Sequence, residues 1–217
     1  VENRDLAKYV DHTLLKPQAG KKEVEKICFE AREHGFAAVC VLPYYVQLAK
    51  NLLQKTGVLV ATVVGFPLGA TYTSAKVNEV RRALKDGADE IDMVINFSAL
   101  LDGDLEKVRS DITGVVEAAE GKPVKAIIET CFLNREQKIK ATRIAQEAGV
   151  EYVKTSTGFG SGGATVEDVR LFRETLQGKA KIKASGGIRD REKALEMIEA
   201  GAHRLGTSSG VAIMEGK

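Results

Sequence analysis

The chain is constrained most by a repeat of form rather than of residues. Eight short apolar, β-branched runs recur, each followed by a stretch with helical periodicity: Asp11–Leu15, Ala37–Leu42, Leu59–Val64, Glu90–Asn96, Val124–Thr130, Tyr152–Thr157, Lys181–Ser185 and Arg204–Thr207. The helical stretches are Lys21–His34, Tyr44–Gln54, Ser74–Lys85, Leu105–Ala119, Arg135–Ala148, Val166–Leu176, Arg191–Ala200 and Ser209–Met214. In Lys21–His34, Val24, Ile27, Cys28 and Ala31 fall on one face of a 3.6-residue helix, and Gly35 supplies a stop. Strands alternating with helices and no linkers between them imply a parallel sheet with right-handed crossovers. Eight such units predict an α/β fold of one domain over residues 1–217, a closed (β/α)8 TIM barrel, with an open doubly wound sheet as the structural alternative. A short helix over Glu2–Val10 is expected before the first strand, the least defined of the eight.

The sixth run carries the chemistry. Glu151–Gly158 reads as a strand, yet Lys154 sits in its middle, where an unpaired ammonium is costly to desolvate. Side chains alternate along a strand. Ile91, Met93 and Ile95 share an apolar face that packs on helices, which turns Asp92 inward. The same parity turns Lys183 inward with Lys181 and Ser185, and Lys154 inward with Ser156; Lys125, Ile127 and Glu129 share one face of strand five, and Ala38, Cys40 and Leu42 one face of strand two. A buried ion-pair network that merely fills the core is the plain alternative. Two buried ammonium groups side by side are unfavourable by several kcal/mol with no evident gain in stability, so a catalytic reading is preferred. A free lysine titrates near 10.4. A second cation and an apolar wall both lower that value, giving an amine that attacks a carbonyl to form a Schiff base. The imine is an electron sink for breaking a neighbouring C–C bond, and Asp92 can move the proton.

Gly- or Ser-rich turns follow strands six, seven and eight: Thr157–Gly163, Ser185–Gly187 and Thr207–Gly210. The last two occupy the positions of the recurring barrel phosphate site, where backbone N–H groups and hydroxyls hold the anion. Gly158, Gly160 and Gly163 also fit G-x-G-x-x-G, but strand seven ends in Ser185-Gly186 where a dinucleotide site needs an acid. No cofactor is expected. His12, His34 and His203 form no ligand-spaced pair, so no metal is expected either.

A formal charge of +2, from 32 basic and 30 acidic residues, gives no footprint for nucleic acid. No apolar run approaches the ~18 residues of a membrane span. Three cysteines without metal spacing read as reduced thiols, and the charged start, Val1–Asp5, has no apolar secretion signal, so a cytoplasmic protein is expected.

Seven segments in order carry a resemblance over essentially the whole chain: Asp11–Pro17, Val64–Gly69, Asp89–Asn96, Lys125–Thr130, Tyr152–Gly158, Lys183–Ile188 and Gly206–Gly210. With these the chain resembles the deoxyribose-phosphate aldolases. The resemblance implies a metal-free class I aldolase acting on a phosphosugar and aldehydes. Lys154 would be the Schiff-base lysine, Lys183 would lower its pKa, and Asp92 would work with Lys183 in proton transfer. Gly158, Gly186, Gly187, Ser208 and Ser209 would lie at the phosphate, with Asp11 and Cys40 supporting the pocket. Dimers or tetramers are implied as well. The sequence departs from some members at Phe159, where they have a lysine, and at the end, Met214–Lys217, which has no tyrosine. Two other readings fit a phosphate-binding barrel: an isomerase or epimerase, which needs no nucleophilic amine, and a sugar-phosphate sensor without catalysis.

Overall fold

In the computed structural model, which describes residues 3–216, the strands close into one barrel in sequence order, every neighbouring pair parallel. The strands are β1 Val10–Leu14, β2 Ala38–Val41, β3 Leu59–Val64, β4 Glu90–Val94, β5 Val124–Ile127, β6 Tyr152–Lys154, β7 Lys181–Ser185 and β8 Arg204–Thr207. Closure comes from β1 pairing with β8, Asp11 opposite Gly206, which rules out the open sheet. The expected first helix is shorter, Asn3–Ala7. Val10 already belongs to β1, and Glu2 lies outside the described residues.

Several runs end earlier as strands than their apolar pattern suggested. β5 stops at Ile127, and Glu129 takes a left-handed backbone (φ 53°) before a 3-10 turn at Thr130–Phe132. β6 stops at Lys154, so this lysine ends its strand instead of lying mid-strand. A helix not foreseen, Phe97–Leu101, follows β4; the Asn96 side chain accepts from the Ala99 N–H at its start.

Helix ends follow local chemistry. Asn134 and Gln137 cap reciprocally, each side chain accepting from the other's backbone N–H at 2.9 Å. The outward faces of the strands and the inner faces of the helices form the main core, including Ile91, Met93, Val153, Ile182 and Leu205. Each such side chain contributes about 1.5–3 kcal/mol on burial.

Inside the barrel the two sides differ. Leu15, Cys40, Ala61 and Val63, with Leu42 and Phe66 against them, make a small apolar cluster from β1–β3 and the loops that follow. The opposite interior is filled by charge from β1 and β4–β8. Gly206 makes this possible on β8, because a Cβ there would stand 3.1 Å from the Lys183 Cε.

Candidate active site

Asp92 is completely buried and is the hub of the charged half. Its Oδ2 accepts from Lys154 Nζ at 2.8 Å and from Lys183 Nζ at 2.7 Å, and its Oδ1 accepts from Lys125 Nζ at 2.8 Å. The two catalytic-lysine candidates are therefore no farther apart than those two lengths laid end to end, within the range where like charges move each other's titration. Parity brought these three together correctly.

Sequence reasoning gave no site role to Lys125, Glu90 and Arg204 beneath them, and placed Asp11 only as pocket support. Lys125 also donates to Glu90 at 2.6 Å, and Arg204 donates to Glu90 at 2.8 Å and to Asp11 at 2.6 Å. Asp11 in turn faces Lys183 at 2.6 Å. The signal was present in part: Glu90 shares the face of Asp92, and Lys125 stands in register with Asp92 across β4 and β5. Arg204 opens β8 and has no local partner, so only barrel closure reveals its role.

Burial works against charge on every cation here, and the neighbours decide the outcome. For Lys183, Lys125 and Arg204, the attraction of Asp11, Asp92 and Glu90 wins, and each ammonium or guanidinium is held above its ordinary range. Lys154 is the exception. Desolvation lowers its pKa, Asp92 opposes this, and the Lys183 charge adds to the lowering. Asp92 is also desolvated, yet its three lysines keep it well below the usual carboxylate range.

A cavity of about 420 Å³ opens at the C-terminal ends of β1, β6, β7 and β8. Lys154 reaches it; Lys183, Asp92, Asp11 and Cys40 do not line it and are fully buried. Gly158, Gly186, Gly187 and Ser208 line the cavity. Their backbone N–H groups donate to no protein group among the described residues, which is the nest an oxyanion requires. Ser209 faces an adjacent cleft with His12 and Glu30, and its N–H donates to Thr207 Oγ1.

Two cations that the sequence reading did not assign, Lys16 and Arg189, also line the cavity, and both are solvent-exposed. Phe159 is half exposed and meets Phe66 edge-on at 5.3 Å. The loop carrying Phe159 is pinned from β5. Glu129 accepts from the Thr157 N–H at 3.2 Å and from the Thr157 hydroxyl, which itself accepts from the Phe159 N–H at 3.0 Å. These bonds compensate the left-handed backbone at Glu129. The loops after β6 and β7 touch so closely that a Cβ on Gly163 would lie 2.2 Å from the Gly186 carbonyl oxygen.

A barrel-strand lysine with a lowered pKa, opening on a loop cluster rich in free N–H groups, is the arrangement that an amine-nucleophile enzyme on a (β/α)8 barrel needs. Comparison with known proteins narrows this. A family model described as "DeoC/LacD family aldolase" matches residues 6–215, and the chain belongs to that family. It is 61% identical over 216 residues to the deoxyribose-phosphate aldolase of Thermococcus gammatolerans, covering 98% of this chain and 96% of the relative. Among solved structures it is similar to "QR15, an Aldolase" (TM-score 0.94, 46% identity, 97% of this chain and 95% of the other). It is also similar to the tetrameric deoxyribose phosphate aldolase of Aeropyrum pernix (TM-score 0.93, 33% identity, 99% and 91%).

Proposed function

We propose that this aldolase cleaves 2-deoxy-D-ribose 5-phosphate reversibly to D-glyceraldehyde 3-phosphate and acetaldehyde, through a Schiff base on Lys154. The observation that carries this reading is that Lys154, the one interior lysine with a lowered pKa in the Asp92 cluster, is also the one that reaches the cavity.

The neutral amine of Lys154 attacks the open-chain aldehyde carbon, and loss of water leaves a protonated imine. A base removes the proton of the hydroxyl two carbons away. The bond between C2 and the hydroxyl-bearing C3 breaks, its electron pair passing into the imine to give a C1=C2 enamine and releasing glyceraldehyde 3-phosphate. Protonation of the enamine carbon and hydrolysis then free acetaldehyde and the lysine. Lys183 and Asp92 share one hydrogen bond beside the Lys154 nitrogen, and with water they supply the route for these protons.

The sugar phosphate lies at the far end of the cavity, on the N–H groups of Gly158, Gly186, Gly187 and Ser208. Lys16 and Arg189 complement its charge, which offsets the phenylalanine at 159. Asp11 and Cys40 act from beneath, Asp11 by holding Lys183 and Cys40 as part of the apolar wall. Three free thiols support a reducing, cytoplasmic setting, and the tetrameric Aeropyrum relative supports self-association.

The test is product analysis. Incubation with 2-deoxy-D-ribose 5-phosphate should release acetaldehyde and glyceraldehyde 3-phosphate in equal amounts, and Lys154→Met should abolish it. Conversion to an isomeric phosphosugar without acetaldehyde would favour the isomerase reading instead.

A further inference from the structure

Seven charges buried between the strands, Asp11, Glu90, Asp92, Lys125, Lys154, Lys183 and Arg204, are not a loose cluster. They close a ring. Asp92 holds Lys125, Lys125 holds Glu90, Glu90 holds Arg204, Arg204 holds Asp11, Asp11 holds Lys183, and Lys183 returns to Asp92. Charges alternate around it, three carboxylates with three cations, so the ring is electrically neutral. Lys154 hangs outside it by a single hydrogen bond to Asp92 Oδ2. Lys154 is thus the surplus positive charge of these seven and the one of them that lines the cavity.

We propose that Lys125, Glu90 and Arg204, none of which lines the cavity, are positioning residues that set the reactivity of Lys154 by balancing the charge around Asp92 and Asp11. The proposal rests on the Schiff-base reading of Lys154. In a neutral ring each member has two opposite charges within hydrogen-bond or ion-pair reach, so surrendering a proton from any of its three cations, Lys125, Lys183 or Arg204, weakens two favourable contacts. Surrendering one from Lys154 breaks one and removes the interior's excess charge. The neutral nucleophile is therefore a consequence of counting charges, with burial supplying the drive.

Other groups near this centre stand outside the ring: the buried Glu129 carboxylate, after β5, is turned to Thr157. Cys40 faces Lys154 from β2 as a buried thiol raised above its ordinary pKa by desolvation. Tyr152 from β6 lies beneath, its ring 5.8 Å from Lys125 Nζ and 5.9 Å from the Arg204 guanidinium.

Charge balance makes an unusual signature, because two changes in the same salt bridge should act in opposite directions. Lys125→Met leaves the ring negative and favours the Lys154 ammonium. The acid limb of the kcat/KM profile should move up by about one pH unit, an approximately tenfold loss of rate on that limb. Glu90→Gln leaves the ring positive and disfavours the Lys154 ammonium, so the limb should move down. The pair Lys125→Met with Glu90→Gln restores neutrality and should return the limb to within about half a unit of the parent. A structural role alone would lower activity in both single variants without opposite displacement.

The experiment is the pH profile of 2-deoxy-D-ribose 5-phosphate cleavage for the parent, both singles and the pair, with acetaldehyde and borohydride trapping on each. Opposed shifts, or an unshifted and folded pair where a single variant fails to fold, support the ring. Limbs that stay put or move together in the single variants, or a displaced or unfolded pair, overturn it. Absence of a trapped adduct on Lys154 in the parent would overturn the Schiff-base reading itself. A trapped adduct with immobile limbs overturns only the ring.

Discussion

Lys154 and Lys183 sit opposite each other on β6 and β7 and aim their amines at one oxygen, Asp92 Oδ2, at 2.8 and 2.7 Å. The difference between them lies in their other partners. Lys183 has a second carboxylate, Asp11, at 2.6 Å; Lys154 has the cavity. These neighbours hold Lys183 above its ordinary pKa and leave Lys154 below it, the contrast that the proposed Schiff-base chemistry requires. Lys183→Met removes the repelling cation and strands Asp11 and Asp92 with fewer partners, which restores charge to Lys154. Steady-state assays should show kcat/KM for 2-deoxy-D-ribose 5-phosphate falling by about 10²–10⁴, with the acid limb displaced upward. A variant of near-parent activity would remove Lys183 from the mechanism.

The phosphate end separates binding from chemistry. Lys16 and Arg189 line the cavity but lie outside the Asp92 cluster. Replacing both with Met should raise KM for the phosphorylated sugar about tenfold, the scale of one charged hydrogen bond, and leave kcat nearly unchanged. KM for unphosphorylated 2-deoxyribose should not move. An equal effect on both sugars would place these cations elsewhere in the reaction.

A second buried ion pair holds the scaffold. Lys76, on the helix Thr73–Lys85, donates to Asp111 at 2.5 Å and to the Val94 carbonyl at 2.8 Å, with both side chains fully buried. Lys76→Met leaves Asp111 as a buried carboxylate whose remaining hydrogen bond among the described residues is from the Thr73 hydroxyl. Urea unfolding should show a loss of about 3–5 kcal/mol. Lys76→Met combined with Asp111→Leu should recover most of it, since neither charge is then stranded.

Acid stability follows from the same interior. Burial opposes the charges of Asp11 and Asp92, but the surrounding cations prevail and hold both below the ordinary value of about 3.9. A carboxylate with a depressed folded pKa stabilises the fold fully above its unfolded value. That stability is lost as pH falls through the folded one. Calorimetry should therefore show Tm dropping as pH falls below about 4. A Tm unchanged down to pH 2 would contradict the ion pairing described here.

The barrel was legible because eight strand–helix alternations leave few ways to fold, and strand parity placed Asp92, Lys154 and Lys183 together because β4 and β7 alternate cleanly. Where the reading fell short, the missing information was non-local. Beyond the ends of β5 and β6, Glu129 reaches across to Thr157, a bond between loops of different units. The Glu90–Arg204 bond joins β4 to β8, 114 residues apart, and no local pattern encodes it. Lys16 and Arg189 looked like ordinary surface cations until the loops that carry them met at one cavity.

The central claim is that Lys154 forms the covalent intermediate. Its most direct test is sodium borohydride reduction in the presence of acetaldehyde, followed by peptide mass mapping. The expected result is a single ethyl adduct, a mass gain of about 28 Da, on Lys154, absent from Lys154→Met, in keeping with imine formation by the depressed-pKa amine. No adduct, or an adduct on Lys183 in place of Lys154, would contradict it.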